Sequence, residues 1–235
     1  MEPAESSLPG HHTTIILTPR LLLRPLSYTY MPAIFAHRAN GAILHWKAPD
    51  FFLSQSRSWV TMLLHSPKCW NFVVHHRPAS LRDSDVGPQL LSPSEEDRNA
   101  LIGMCGVHNA PEIGYSFHPD VWGKGYASEA VAGLVGKYWE TFPDGHPSLQ
   151  GPESKYLEAY TTRQNLSSQG VLRNNGFEVW KEVEESSSID GGPKEMMLVW
   201  RRWKPGIENG TENKNEEMGI AIEEGPRGKE QRVGT

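Results

Sequence analysis

The stretch EIGYSFHPDVWGKGYASEAVAGLVGKYW, residues 112–139, carries an alternating apolar segment into two glycines that flank Lys124, then into an amphipathic pattern. The alternation over Glu112–His118 predicts a strand. Beyond the glycines, Ala127, Ala130, Val131, Leu134, Val135 and Tyr138 recur at helical spacing and predict a helix with a full apolar face. A strand that reaches a helix through Gly-Lys-Gly admits two readings. In one, Gly123 and Gly125 only permit positive φ in a packing turn. In the other, the first amides of the helix lack intrahelical acceptors, sit at the positive end of the macrodipole and join Lys124 in a cradle for an anion, phosphate above all. The spacing excludes a Walker loop, because no G-x-x-x-x-G-K-S/T occurs. It also excludes a dinucleotide fingerprint, whose third glycine would fall at Ser128.

Outward from this stretch, strand and helix periods alternate. Thr14–Pro25 reads as a strand with a break at Pro19. Met31, Ile34, Phe35 and Arg38 predict a first helix, and Ser54–His65 a second. Strands are predicted at Trp70–His76, at Ala100–His108 and, after a tight Asn109-Ala-Pro turn, at Glu112–His118. After the long helix come a strand at Tyr156–Thr162 and a short helix over Leu166–Asn175. That helix is closed by Gly176, which suits the left-handed residue past a helix end. Strands at Phe177–Val183 and Glu195–Trp203 finish the pattern. The order β-αα-βββ-α-β-α-ββ predicts an α+β fold with helices on the faces of a mixed sheet.

The chain has 235 residues, 37% hydrophobic and 22% charged, with a formal net charge of −5. That length supports one core and predicts one soluble domain. No global basic field points to nucleic acid as a partner. The two cysteines, Cys69 and Cys105, match no zinc spacing and make no disulfide framework, so no metal site is expected. The start MEPAESSLPGHH has neither a basic nor an apolar signal region, and no apolar run approaches bilayer length. An intracellular, cytoplasmic protein without a membrane span is expected. Three segments hold too little apolar surface to offset chain entropy. Residues 1–13 and 205–235 read as disordered tails, the second acidic, and residues 78–99 read as a mobile loop. The domain is expected to span residues 14–204.

The segments IGYSFHPDVWGKGYASEAV and TTRQNLSSQGVLRNNGF, taken in order, resemble the GNAT family of acyl-CoA-dependent N-acetyltransferases. The family's pyrophosphate motif is R/Q-x-x-G-x-G/A. Residues 122–127 match it except that Trp122 stands where Arg or Gln is usual. Asn165 and Ser168 match an N-x-x-S element, and Asn175-Gly176-Phe177 its ending. With TPRLLLRPL near the start, the chain is most similar to the RimJ/RimL-like branch, which acetylates ribosomal-protein N-termini. The similarity spans about residues 15–203. It implies a GNAT-like, mostly antiparallel sheet of six to seven strands, splayed at the middle strands, with helices on both faces.

The resemblance further implies acetyl-CoA as co-substrate and a primary amine as acceptor, here a protein or peptide N-terminal α-amine, attacking the thioester directly. The pantetheine would lie along the strand ending near Phe117, with Asn165 bonding it. Backbone amides of Trp122, Gly123, Lys124, Gly125, Tyr126 and Ala127 would hold the pyrophosphate. Ser168 would contact the cofactor and donate to the leaving thiolate, although many relatives carry a tyrosine on that helix. Glu112 is the first candidate base and an acceptor contact, and His108 is the second. An α-amine, with pKa about 7.7–8.0, needs less help from a base than a lysine at about 10.4. Acceptor contacts are expected from Tyr115 and from the loop carrying Trp46, with Phe51 and Phe52. A small-molecule amine acetyltransferase and a non-catalytic acyl-CoA-binding module are the other classes the sequence allows. A monomer or homodimer is expected.

Overall fold

The computed structural model describes residue 5 and residues 10–43, 49–186 and 194–207. By internal contacts the chain divides into residues 1–204 and 205–235, and Pro205–Ile207 represent the second unit among the described residues. The first unit holds one sheet of eight strands: β1 (Ile16–Leu17), β2 (Leu21–Pro25), β3 (Trp70–His76), β4 (Gly103–Asn109), β5 (Glu112–Phe117), β6 (Tyr156–Thr162), β7 (Glu178–Ser186) and β8 (Lys194–Trp203). Their spatial order is β1-β2-β3-β4-β5-β6-β8-β7. The expectation of six to seven strands is corrected to eight, because the corner at Pro19 divides the first strand in two.

Alternation builds a core on each face of the sheet. Leu21 and Leu23, Phe72 and Val74, Cys105 and Val107 face one core, while Val73 and Met104 face the other. The helix α4 (Tyr126–Thr141) covers the first core with Ala130, Val131, Leu134, Val135 and Tyr138, each 0% exposed. Burial of each such Val or Leu is worth about 1.5–3 kcal/mol. The second core is closed by α1 (Met31–Arg38) through Met31 and Ile34, and by α2 (Leu53–His65) through Val60, Leu63 and Leu64.

Antiparallel pairing joins all neighbouring strands except β5 and β6, which are parallel and share a single registered pair, Glu112↔Glu158. The Glu158 N–H bonds the Pro111 carbonyl there, at 3.0 Å. Past this point β6 follows β8 instead, so the sheet splays between β5 and β6. The short helix α5 (Leu166–Asn174) follows β6. It ends in a Schellman turn, with Gly176 at φ 70° and the Phe177 N–H bonded to the Leu172 carbonyl at 3.0 Å.

Two expectations about poorly packed segments change. Residues 10–13, read as part of a disordered tail, pack on the domain. The Gly10 N–H bonds the Leu64 carbonyl at 2.7 Å, and the His12 ring sits against Trp70 and Phe72 with Nε2 3.0 Å from the Asn71 carbonyl. Residues 78–99, read as a loop, contain helical turns at Asp83–Asp85 and Pro88–Leu91 and the helix α3 (Glu95–Asn99). Buried Arg24 of β2 holds them, donating from Nε to the Leu90 carbonyl at 3.0 Å and from Nη2 to Asp97 at 3.1 Å. Polar anchoring of this kind leaves no hydrophobic period in the sequence, which is why the segment read as unstructured.

Candidate active site

The phase of the β4–β5 ladder decides what the splay exposes. The His118 N–H bonds the Ile102 carbonyl at 2.9 Å, so residues 118, 116 and 114 turn their backbone groups toward β4. Phe117, Tyr115 and Ile113 turn theirs toward β6. Beyond the single β5–β6 pair, this edge faces the splay with no partner strand among the described residues. The Phe117 carbonyl is taken by the Trp122 indole N–H at 2.7 Å. The N–H and C=O of Tyr115 and the N–H of Phe117 therefore border the splay, where an extended amide-bearing ligand can add to the strand edge.

At the end of β5 a short turn over Pro119–Val121 leads to the glycines. Gly123 has φ 71° and Gly125 has φ 79°, conformations that L side chains rarely adopt. A Cβ on Gly123 would meet nothing within 4 Å, and one on Gly125 only the Arg20 guanidinium at 3.5 Å. The first α4 amide with an intrahelical acceptor is that of Glu129, bonded to the Gly125 carbonyl at 3.1 Å. Of the amides expected to hold a pyrophosphate, that of Trp122 is taken by the Pro119 carbonyl at 3.1 Å, while those of residues 123–127, and of Ser128 beyond them, have no acceptor among the described residues. Lys124 is exposed, with Nζ 2.7 Å from the Asp120 carbonyl, while Trp122 is 48% exposed and Ala127 is half-buried. Donors, open space and left-handed glycines coincide at this turn, as an anion cradle requires.

Asn165 caps α5, its side-chain oxygen accepting from the Ser168 N–H at 3.1 Å. Its side-chain NH2 has no acceptor among the described residues. Ser168 is joined to β5 by its main chain, since the Tyr115 hydroxyl donates to the Ser168 carbonyl at 3.0 Å. Burial raises the Tyr115 pKa, against a smaller lowering by the Ser168 bond. Tyr115 packs with the α4/α5 core. Glu112, Gly114 and Ser116 alternate with it and face the α1/α2 side. Glu112, at the single β5–β6 pair, and Ser168 thus lie on opposite faces of the sheet, with Tyr115 on the Ser168 side. Trp46 lies outside the described residues. Phe51 and Phe52 are 71% and 68% exposed, just before α2.

The α1/α2 face carries His108, the second candidate base, together with His37, Arg38, Asp50 and Asn71, which gave no clear sequence signal. His108 occupies a bulge between β4 and β5, where its ring lies over Gly114, and a Cβ on that glycine would come within 2.3 Å of its edge. Its Nδ1 is 2.6 Å from Asn71 Oδ1, and Asn71 donates its own NH2 to the Val107 carbonyl at 3.0 Å. Oδ1 is therefore the acceptor, which assigns the proton to Nδ1 and leaves a lone pair on Nε2. Burial, with Arg38 nearby, lowers the His108 pKa to about 4. His37, 2.8 Å from the Ser116 hydroxyl, is lowered to about 4 by burial and by the nearby His118 and Arg38. Arg38 forms a buried two-pronged pair with Asp50, at 2.7 and 3.2 Å, and Ser56 donates to the same carboxylate at 2.7 Å. This pair clamps both ends of the α1–α2 connection.

A model of the acetyltransferase (GNAT) domain matches residues 20–178, more than half of the chain. The chain belongs to the GNAT acetyltransferase family. Solved structures agree on the fold. A GNAT-family acetyltransferase from Bacillus anthracis superposes with a TM-score of 0.58 at 18% identity, covering 81% of this chain and 98% of its own. An acetyltransferase from Salmonella typhimurium, described as modifying the N-terminal serine of a 50S ribosomal subunit protein, gives 0.59 at 15%, covering 81% and 99%. The microcin C7 self-immunity acetyltransferase, solved with acetyl-CoA and AMP, gives 0.57 at 13%, covering 80% and 94%. No curated protein matches the chain. Among the described residues of this GNAT protein, no helix is long and apolar enough to cross a membrane, and no group of three His, Cys, Asp or Glu could hold a metal.

Proposed function

We propose that this GNAT acetyltransferase is a cytoplasmic enzyme that moves the acetyl group of acetyl-CoA onto a protein or peptide N-terminal α-amine. The observation that carries the acceptor assignment is the weakness of the two histidines on the α1/α2 face as bases. His37 and His108 are both held near a pKa of about 4, so neither takes a proton readily at neutral pH. An α-amine with pKa about 7.7–8.0 is substantially neutral near pH 7.5, whereas only on the order of one lysine in a thousand is. Such a site suits the amine that arrives already deprotonated. The ribosomal-protein specificity of the Salmonella neighbour and the RimJ/RimL-like sequence pattern support the same class.

Acetyl-CoA supplies an acetyl group activated as a thioester. The amides of residues 123–128 hold its pyrophosphate, and the splay-facing groups of Tyr115 and Phe117 orient the arm with the Asn165 side-chain NH2. The Tyr115 N–H is placed to donate to an oxygen at the β5 edge, where such a donor stabilises developing negative charge. Glu112, on the acceptor face, takes the amine proton or orients the amine, and the Ser168 hydroxyl, on the other face, donates to the departing sulfur. Phe51 and Phe52, with Trp46, contact the acceptor.

Thiol release from acetyl-CoA, measured over peptides with free α-amines, N-blocked lysine peptides and small polyamines, tests the proposal. The expected order of kcat/KM places α-amine peptides first. Preference for polyamines would make this a small-molecule enzyme, and binding without turnover a non-catalytic module.

A further inference from the structure

We infer that Arg20, at the corner between β1 and β2, is a positioning residue for the donor's phosphates. The inference rests on the pyrophosphate lying at residues 123–128. Glu129 stands in the first turn of α4, where a carboxylate favours the helix dipole but repels an anion bound one turn away. The corner directs three donors at it. Thr18 Oγ1 and the Arg20 N–H donate to Oε1 at 2.6 and 2.7 Å, and Arg20 Nε donates to Oε2 at 2.6 Å. Burial alone would raise the Glu129 pKa, but these bonds and the Arg20 charge hold it below the ordinary carboxylate value. Gly133 permits the approach, since a Cβ there would lie 2.8 Å from the Thr18 methyl.

The same guanidinium shapes the glycine turn. Its Nη1 donates to the Lys124 carbonyl at 3.0 Å. Because a trans peptide is planar, fixing that carbonyl aims the Gly125 N–H the opposite way, away from Arg20. The guanidinium carbon lies 4.4 Å from the centre of the Tyr126 ring, and Nη2 stands 3.5 Å from where a Gly125 Cβ would be. Nη2 has no acceptor among the described residues, and the side chain is 47% exposed, so its hydrogens are available beside the turn. Arg20 thus cancels a misplaced negative charge, orients one amide of the turn and offers a cationic donor to phosphate.

Acetyl-CoA and S-acetylpantetheine, which shares the thioester and arm but carries no phosphate, separate this role from a merely structural one. With one α-amine peptide as acceptor, Arg20→Ala should raise KM for acetyl-CoA about tenfold, one lost charge-assisted contact. Its kcat, and its kcat/KM with S-acetylpantetheine, should stay within about twofold of the parent. Glu129→Gln keeps an oxygen acceptor for Thr18 and the Arg20 N–H, gives up the acceptor of Arg20 Nε and removes the negative charge. It should tighten coenzyme A binding by about two- to threefold in calorimetry, a gain that damaged folding cannot produce. Equal losses with both donors in Arg20→Ala, or unchanged or weaker coenzyme A binding in Glu129→Gln, would overturn the inference. If Arg20→Ala does not fold, the Glu129→Gln measurement decides alone. A parent protein that consumes neither donor would refute the transfer reaction itself, a different result from either variant outcome.

Discussion

Replacing Gly125 with valine separates the cradle reading of the glycine turn from a packing turn. At φ 79° the residue is left-handed, and a non-glycine residue there costs about 1–2 kcal/mol. For a domain of this size that strain lowers the melting temperature by about 2–8 °C. The new side chain has room, because the nearest atom to its Cβ is Arg20 Nη2 at 3.5 Å, so it stands in the open space beside the amides instead of burrowing into the core. A phosphate then loses one or two charge-assisted amide bonds at about 1.5–3 kcal/mol each, which weakens coenzyme A binding at least about tenfold. Calorimetric titration with coenzyme A reads this directly, with thermal unfolding alongside. Gly136→Ala is the control. It lies on the exposed side of α4, where a Cβ meets nothing within 4 Å, and should stabilise by about 0.5–1 kcal/mol without touching affinity. A Gly125→Val protein that binds coenzyme A like the parent would refute the cradle and leave only the packing turn.

Other outcomes follow from the same geometry. Ser168→Ala should lower kcat toward the low end of the roughly 10²–10⁴-fold range for acid–base catalysis while coenzyme A affinity changes little; the reverse pattern would make the serine a cofactor contact only. Glu112→Gln should remove an acidic limb from the kcat/KM profile if Glu112 is the base, and an unaltered profile would leave deprotonation to solvent. His37 and His75 are each 3% exposed and lowered from 6.5 to about 4, first by burial, so the unfolded chain protonates before the folded one as pH falls. Stability is intact above pH 6.5 and should decline by about 3 kcal/mol per ring on reaching pH 4; denaturation midpoints that stay level between pH 7 and 5 would contradict this. A chain starting at Thr14 should melt about 4–8 °C below one starting at Gly10, because the Gly10 bond and the His12 ring contacts are worth about 2 kcal/mol together.

Most elements of the fold were legible because they repeat. The α4 stripe, the β5 alternation and the Gly176 helix end each leave a local period or a residue with one conformational use. Asn165 and Ser168 were also visible as a pair three residues apart, the spacing at which an N-cap reaches its amide. Contacts between distant polar residues were not. Arg20 and Glu129 meet across 109 positions, and Arg24 and Asp97 across 73. Neither pair produces a pattern that a window of sequence can hold. The sequence did place a carboxylate one turn beyond a proposed anion cradle, and that conflict was the available signal for a compensating cation. The His108 bulge was hidden for another reason. One extra residue in a ladder changes which atoms face the site without changing composition, so only the register reveals it.

Internal competition tests whether transfer goes to an α-amine that arrives already neutral. One peptide carrying a free N-terminal α-amine and an internal lysine is incubated with acetyl-CoA at pH 7.5, and the product is sequenced by tandem mass spectrometry. Acetylation is expected at the α-amine, with the lysine modified at least about a hundredfold less, in line with the difference in neutral amine. Acetylation confined to the lysine side chain would contradict this expectation.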